Sequence, residues 1–240
     1  MIADIEGVKI ILPIGLPKPD KLTGGYQYWL QEESLKGVRH HLTATVRAFR
    51  KHLTQRHERF LHPFGGLGAT AQIIDAIRAE KGWPSAIHTF WERDEVCVQS
   101  LQDFGWLDVN HVQDSYQKLT NVDYDNYDVI ILDVTAGTIK SPNMVLIWKL
   151  IRNWIDEDKH RFVWNVDSAC SKIWLHREHY IPELGRRVED ADDYIRAYDE
   201  MLKVLGIRIW SAWREATVVY TIVGSSDADC RYGGEIERIE

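Results

Sequence analysis

Between residues 34 and 53 the apolar side chains are spaced by three and four: Leu35, Val38, Leu42, Val46, Phe49 and Leu53. That period keeps them on one side of a helix, so the stretch predicts an amphipathic helix despite Gly37. Lys36, Arg39, Arg47, Arg50 and Lys51 fall on the other side, the most basic region of the chain. Such a face either meets phosphates or is the solvated cover of a packed helix. Upstream the pattern differs. Residues 7–22, GVKIILPIGLPKPDKL, hold a short apolar run broken by three prolines, which predicts an extended arm or edge strand followed by a loop. Residues 23–29, TGGYQYW, read as a glycine turn carrying aromatics.

From residue 59 the chain alternates between two periods. RFLHPF (59–64), AIHTFWER (86–93), VNHVQDS (109–115), YDVIILDV (127–134) and RFVWNVD (161–167) read as strands. The fourth is a nearly continuous apolar run bounded by aspartates, as expected of a strand covered on both faces. Helical periods fill the intervals at 69–82, 94–105 and 142–159, the last with Pro142 in its first turn, where proline is tolerated. Residues 189–205 form a further helix whose acidic first turn suits the helix dipole. IRIWSAW (207–213) and TVVYTIVG (217–224) are strands joined by only three residues. So short a connection cannot cross over, and the two must pair antiparallel.

Strands alternating with helices predict an α/β fold with a mostly parallel sheet, and the closing hairpin adds an antiparallel strand. No internal repeat interrupts the pattern. The expected organisation is an arm and covering helix at residues 1–56, followed by one domain at 57–240.

The stretch at 64–75, FGGLGATAQIID, carries Gly66-Leu67-Gly68 with Ala71 three residues on. This is the G-x-G-x-x-[G/A] form, directly after a strand and before a helix, the context that gives the pattern weight. Glycines there permit a sharp turn and close approach of a ligand to the backbone, while the helix start offers unpaired N–H groups. The Gly-Lys-Ser/Thr ending of a nucleotide triphosphate loop is missing. Glu92 ends the second strand, where a carboxylate can accept both hydroxyl protons of a ribose. Arg93 follows it, and Asp94 is placed to cap the next helix. Asp114 and Ser115 close the third strand, either meeting an adenine amino group or starting a loop as a cap. Asp133, at the tip of the fourth strand, points toward the same crevice.

In this order the features resemble the class I S-adenosylmethionine-dependent methyltransferase superfamily over roughly residues 57–224. HPFGGLGAT is similar to the family's first motif, FWERD to its second, QDS at 113–115 to its third, and LDVTAG at 132–137 occupies the fourth. The resemblance implies a Rossmann-like three-layer sandwich around a mostly parallel seven-stranded sheet, its last strand antiparallel between the fifth and sixth. It implies S-adenosyl-L-methionine as cofactor, with His62, Phe64, Gly65, Gly66 and Gly68 around its methionine end. Glu92 and Arg93 would lie at the ribose and Asp114 or Ser115 at the adenine. Asp133 would be the catalytic residue, accepting a hydrogen bond from an amine acceptor. Where the family carries an acid in its first motif this chain has His62, and the Pro-Pro-aromatic of DNA amino-methyltransferases is replaced by Val134-Thr135-Ala136.

Composition narrows the partners. Net charge is −7, which argues against a uniformly basic nucleic-acid-wrapping surface and tilts the acceptor from duplex DNA toward RNA, protein or a small molecule. Tyr26, Tyr28 and Trp29 either stack on a planar substrate or pack against the sheet edge. The three cysteines show neither metal spacing nor a disulfide framework, and His176 with His179 supply too few ligands for zinc. Most of the ten tryptophans fall inside periodic segments and are expected in the core. Without a bilayer-length apolar run or a signal-peptide pattern, a cytoplasmic protein is expected. Two other readings stay open: an S-adenosylmethionine-binding partner without catalysis, and a nicotinamide-dependent oxidoreductase.

Overall fold

The computed structural model describes residues 2–13, 35–134, 142–155, 160–167, 180–181, 186–187, 191–215, 218–225 and 237–238. Tyr26, Tyr28 and Trp29, the loop at 135–141, and His176 with His179 lie outside the described residues. The chain divides into two units, Met1–Ser115 and Tyr116–Glu240.

In the first unit, β1 (Ile2–Ile5) and β2 (Val8–Ile11) form a two-stranded antiparallel sheet of their own. Glu6 and Gly7, at φ 52° and 84°, make the tight turn between them, and Asp4 Oδ1 accepts the Gly7 N–H at 3.0 Å. The expected edge strand is thus one half of a hairpin. Val8, Ile10 and Leu12 point inward, whereas Ile11 faces out. Gln72 clamps this outer edge: its Oε1 accepts the Ile11 N–H at 2.7 Å and its Nε2 donates to the Ile11 carbonyl at 2.9 Å.

Helix α1 (Leu35–His52) appears where the three-and-four spacing predicts it, with Leu42, Val46 and Phe49 fully buried. Its basic face is engaged: Arg47 pairs with Glu6 and Arg50 with Glu80, both at 2.9 Å. Strands β3 (Arg59–His62), β4 (Ile87–Glu92) and β5 (Asp108–His111) run parallel in the order β3-β4-β5. Between them lie α2 (Ala69–Glu80) and α3 (Glu95–Asp103). The short helix α4 (Ser115–Leu119) follows β5.

In the second unit, a 3-10 turn at Tyr124–Asn126 precedes β6 (Val129–Val134), α5 (Pro142–Trp154) and β7 (Phe162–Asp167). A two-residue pair, β8 (Tyr180–Ile181) and β9 (Arg186–Arg187), stands apart as a small antiparallel sheet. Then come α6 (Ala191–Val204), β10 (Ile207–Glu215), β11 (Val218–Ser225) and β12 (Glu237–Arg238). The order is β6-β7-β11-β10-β12, so β11 inserts antiparallel between β7 and β10, as the resemblance implies. The architecture is α/β and Rossmann-like, with seven principal strands, mostly parallel, and one antiparallel hairpin strand.

Tryptophans fill the second unit's core. Trp148, Trp164 and Trp213 are completely buried. Trp164 meets Trp213 edge-on at 5.8 Å and stacks on Tyr220 at 5.9 Å. A register shift between Ile209 and Ser211 turns Trp210 onto the bare Cα of Gly224, and its Nε1 donates to the Ser225 carbonyl at 3.0 Å. Among the described residues no helix is long and apolar enough to cross a membrane.

Candidate functional site

The first unit brings the tips of three parallel strands together. β3 ends at His62, and the chain turns through Gly65, Gly66 and Gly68 into α2. The Gly65 N–H donates to the Trp91 carbonyl at 3.0 Å and the Gly68 N–H to the Gly65 carbonyl at 3.2 Å. Gly66 and Gly68 adopt φ 53° and 74°. They are glycines for different reasons. A Cβ on Gly66 would meet nothing within 4 Å, whereas one on Gly68 would lie 2.8 Å from Leu101 Cδ2 and 3.1 Å from Trp106 Nε1. The Gly66 side is open to a ligand, and the Gly68 side is packed against α3 and the turn after it. Among the described residues no side chain caps the start of α2.

Glu92 closes the arrangement. Its Oε2 accepts the Gly66 N–H at 2.7 Å, while Oε1 accepts the N–H groups of Arg93 and Asp94 at 2.7 and 2.9 Å. The carboxylate therefore ties the tip of β4 to the glycine loop. The third tip is tied in through the backbone, with the Val112 N–H 2.8 Å from the Glu92 carbonyl. His111 Nε2 donates to the Arg93 carbonyl at 2.9 Å. Beside the loop a cavity of about 540 Å³ is lined by Leu67, Ile11, Pro13, Val96 and Phe104, together with Glu95 and Asp103.

Two expected placements change. β5 ends at His111 rather than at residue 115, so Asp114 sits in the following turn and Ser115 begins α4, where it is buried. Asp94 caps α3, its Oδ1 accepting the Val96 N–H at 2.9 Å. Phe64 and Gly65 are half-buried, and Arg93 is exposed. Asp133 belongs to the second unit, half-buried near the end of β6 and in register with Val166 of β7. Cys97 is buried, and burial, reinforced by the carboxylates of Glu92 and Asp94, pushes its thiol up.

His62 is the surprise. Its ring is buried, stacked on Phe90 at 4.7 Å, with Nε2 2.9 Å from Nδ1 of His88 on β4. His88 Nε2 in turn lies 3.4 Å from Oδ1 of Asp75 on α2, whose carboxylate also accepts the Ala86 N–H at 3.0 Å. Burial holds both imidazoles below the usual histidine range, His62 the more strongly, and the His88 ring further disfavours charge on His62. Sequence reading missed His88 and Asp75. The available signal is strand alternation: Phe60 and His62 share one row of β3, and in register they face His88 and Phe90 of β4.

No protein-family model matches the sequence, and no curated protein matches it. Solved structures do match in fold. The mitomycin 7-O-methyltransferase MmcR aligns with a TM-score of 0.51 and 15% identity, over 78% of this chain and 55% of that one. DhpI, solved in complex with SAH, aligns with a TM-score of 0.51 and 14% identity, over 80% of this chain and 88% of that one. The chain spans 55% of the length of the first of these. The chain therefore shares the Rossmann-like fold of these two solved proteins.

Proposed function

We propose that the chain binds S-adenosylmethionine at the glycine loop and transfers its methyl group to an acceptor. The observation that carries this reading is the Gly66–Glu92 contact of 2.7 Å at the tips of adjacent parallel strands. A carboxylate held there by backbone N–H groups is oriented to accept the two hydroxyl protons of a ribose, and the open side of Gly66 leaves room for the ligand to approach. The uncapped start of α2 adds N–H groups that suit an anionic ligand group. Asp114 and Ser115, just beyond the third tip, are assigned to the adenine edge. MmcR is by name a methyltransferase and DhpI was solved with SAH, which favours the same ligand class for this fold.

S-adenosylmethionine supplies a methyl group already activated on sulfonium. The protein's own task is then to align the acceptor and exclude water. Asp133 is assigned to hold an acceptor N–H by hydrogen bond, keeping the nitrogen lone pair directed at the methyl group. A binding protein without catalysis is the second reading, favoured by the engagement of His62 with His88 at the position where the family carries an acid.

Calorimetry with S-adenosylmethionine, S-adenosylhomocysteine and NAD tests the ligand. The two adenosyl ligands are expected to bind and NAD is not; the reverse would establish the oxidoreductase reading instead. Glu92→Ala is expected to weaken the adenosyl ligands at least tenfold. A tritiated-methyl screen over RNA, DNA, protein and small molecules then separates catalysis from binding alone, with Asp133→Ala expected to slow transfer without loss of cofactor affinity.

A further inference from the structure

His62, just before the glycine loop, and His88 on the neighbouring strand are buried against each other, and the methyl transfer just proposed uses neither. In the neutral state one hydrogen lies between the two rings, on His62 Nε2 or on His88 Nδ1. The Asp75 carboxylate, 3.4 Å from His88 Nε2, favours the His88 hydrogen on that nitrogen, which leaves Nδ1 to accept from His62 Nε2. A second charge on the pair would set two N–H groups head to head at the present 2.9 Å separation. Phe60, Phe90 and Trp106 surround His88, with Trp106 edge-on at 4.9 Å, and they offer a charged ring no hydration. Among the described residues the ionic groups acting on the pair come from α2: Asp75 favours charge on His88 and the buried Arg78 opposes it.

The pair bridges β3 and β4 at the point where the loop leaves. One residue row further on, the Gly65 N–H holds the Trp91 carbonyl and the Gly66 N–H holds Glu92. Forcing His62 and His88 apart strains those two bonds first. We propose that His62 and His88, braced by Asp75, form a proton-sensitive latch beneath the glycine loop, holding the loop in its present shape until both rings are charged. The proposal concerns the loop itself and stands whatever ligand the loop accepts.

The sign follows from linkage. Both rings bind protons less readily folded than unfolded, so their contribution is complete above the ordinary histidine value of 6.5 and is lost as the pH falls below it. With two protons taken up, the opening equilibrium rises by up to about 100-fold per pH unit in that window.

The test uses the whole chain labelled with ¹⁵N, followed by NMR from about pH 8 to about pH 4.5. His62→Gln and His88→Gln identify the two ring signals. Both rings are expected to stay neutral after the exposed histidines have charged, then to charge at a midpoint shared with a shift of the Gly65 and Gly66 amide signals. Asp75→Asn, at a partly exposed position, removes the carboxylate that favours charge and is expected to move that midpoint to lower pH. Loop amides that move with the exposed histidines overturn the proposal. So does charging of the pair with the loop unmoved, an Asp75→Asn midpoint that stays put, or global unfolding with no separate loop transition.

Discussion

Alanine at Gly66 and at Gly68 should have different costs, although the two residues share a loop and a left-handed backbone. At φ 53° and 74° both positions strain an L-residue by about 1 kcal/mol, partly offset by the roughly 0.4–1 kcal/mol gained from a stiffer unfolded chain. For Gly66→Ala that is the whole account, because none of the described residues lies within 4 Å of the new methyl. Gly68→Ala also drives its Cβ to 2.8 Å from Leu101 Cδ2 and 3.1 Å from Trp106 Nε1. Leu101 cannot yield freely, since it is buried with Ala71 and Phe90 and covered by Trp106 and Val109. Overpacking of this kind adds about 1–3 kcal/mol, so Gly68→Ala should be the more destabilising by that margin. Urea denaturation of both variants measures the difference, and a cycle with Leu101→Ala isolates its cause. Leu101→Ala alone should cost about 2–5 kcal/mol, and less in the Gly68→Ala background, where the new methyl occupies part of the cavity. Equal destabilisation by the two alanines, or a cycle additive to within about 0.5 kcal/mol, refutes the reasoning.

Gly224→Ala should be among the most damaging single methyl additions in the second unit, because its Cβ would fall 2.0 Å from Trp210 Cζ2; Trp210→Leu should recover part of the loss on thermal unfolding. Asp94→Ala should cost about 1 kcal/mol by denaturation, through loss of the cap on the Val96 N–H. Cys97, with its thiol pushed up by burial and two carboxylates, should resist iodoacetamide at neutral pH and react only in denaturant; labelling of the folded protein, read by mass spectrometry, would contradict that assignment.

The strands and helices were legible because each buries a face that its own residues spell out. The run VIILDV gave β6 to within a residue or two of its ends, and the spacing of Leu42, Val46 and Phe49 gave α1. The N-terminal hairpin was not legible. β1 is four residues long with only Ile5 buried, and β2 is held by Gln72 from a helix 61 positions away, which no local pattern records. The end of β5 was misplaced for a related reason. Val109 and Val112 suggest a strand running past residue 111, but pairing with β4 ends at Glu92 and His111, with the Val112 N–H on the Glu92 carbonyl as its last bond.

The site divides in the same way. Gly66, Gly68 and Glu92 announce themselves because each occupies the strand tip or turn its residue type requires, and their convergence follows from parallel pairing of β3 with β4. His62 was legible as a departure from the family's first motif but not as a member of a chain. Its partner is 26 residues away and the carboxylate that orients the partner comes from a helix rather than a strand. A buried imidazole can replace a buried carboxylate at such a place only if something else fixes its protons. Here that is His88, whose Nδ1 shares one hydrogen with His62 Nε2, and Asp75, whose carboxylate 3.4 Å from His88 Nε2 favours leaving Nδ1 as the acceptor. The imidazole at the end of β3 and the carboxylate on α2 near His88 are thus one arrangement. Introducing an acid with His62→Asp in the presence of His88 should therefore raise the His88 pKa, by placing a charge where the neutral ring now sits. A His88 titration by NMR that does not move upward in His62→Asp would show that the two rings are neighbours without being coupled.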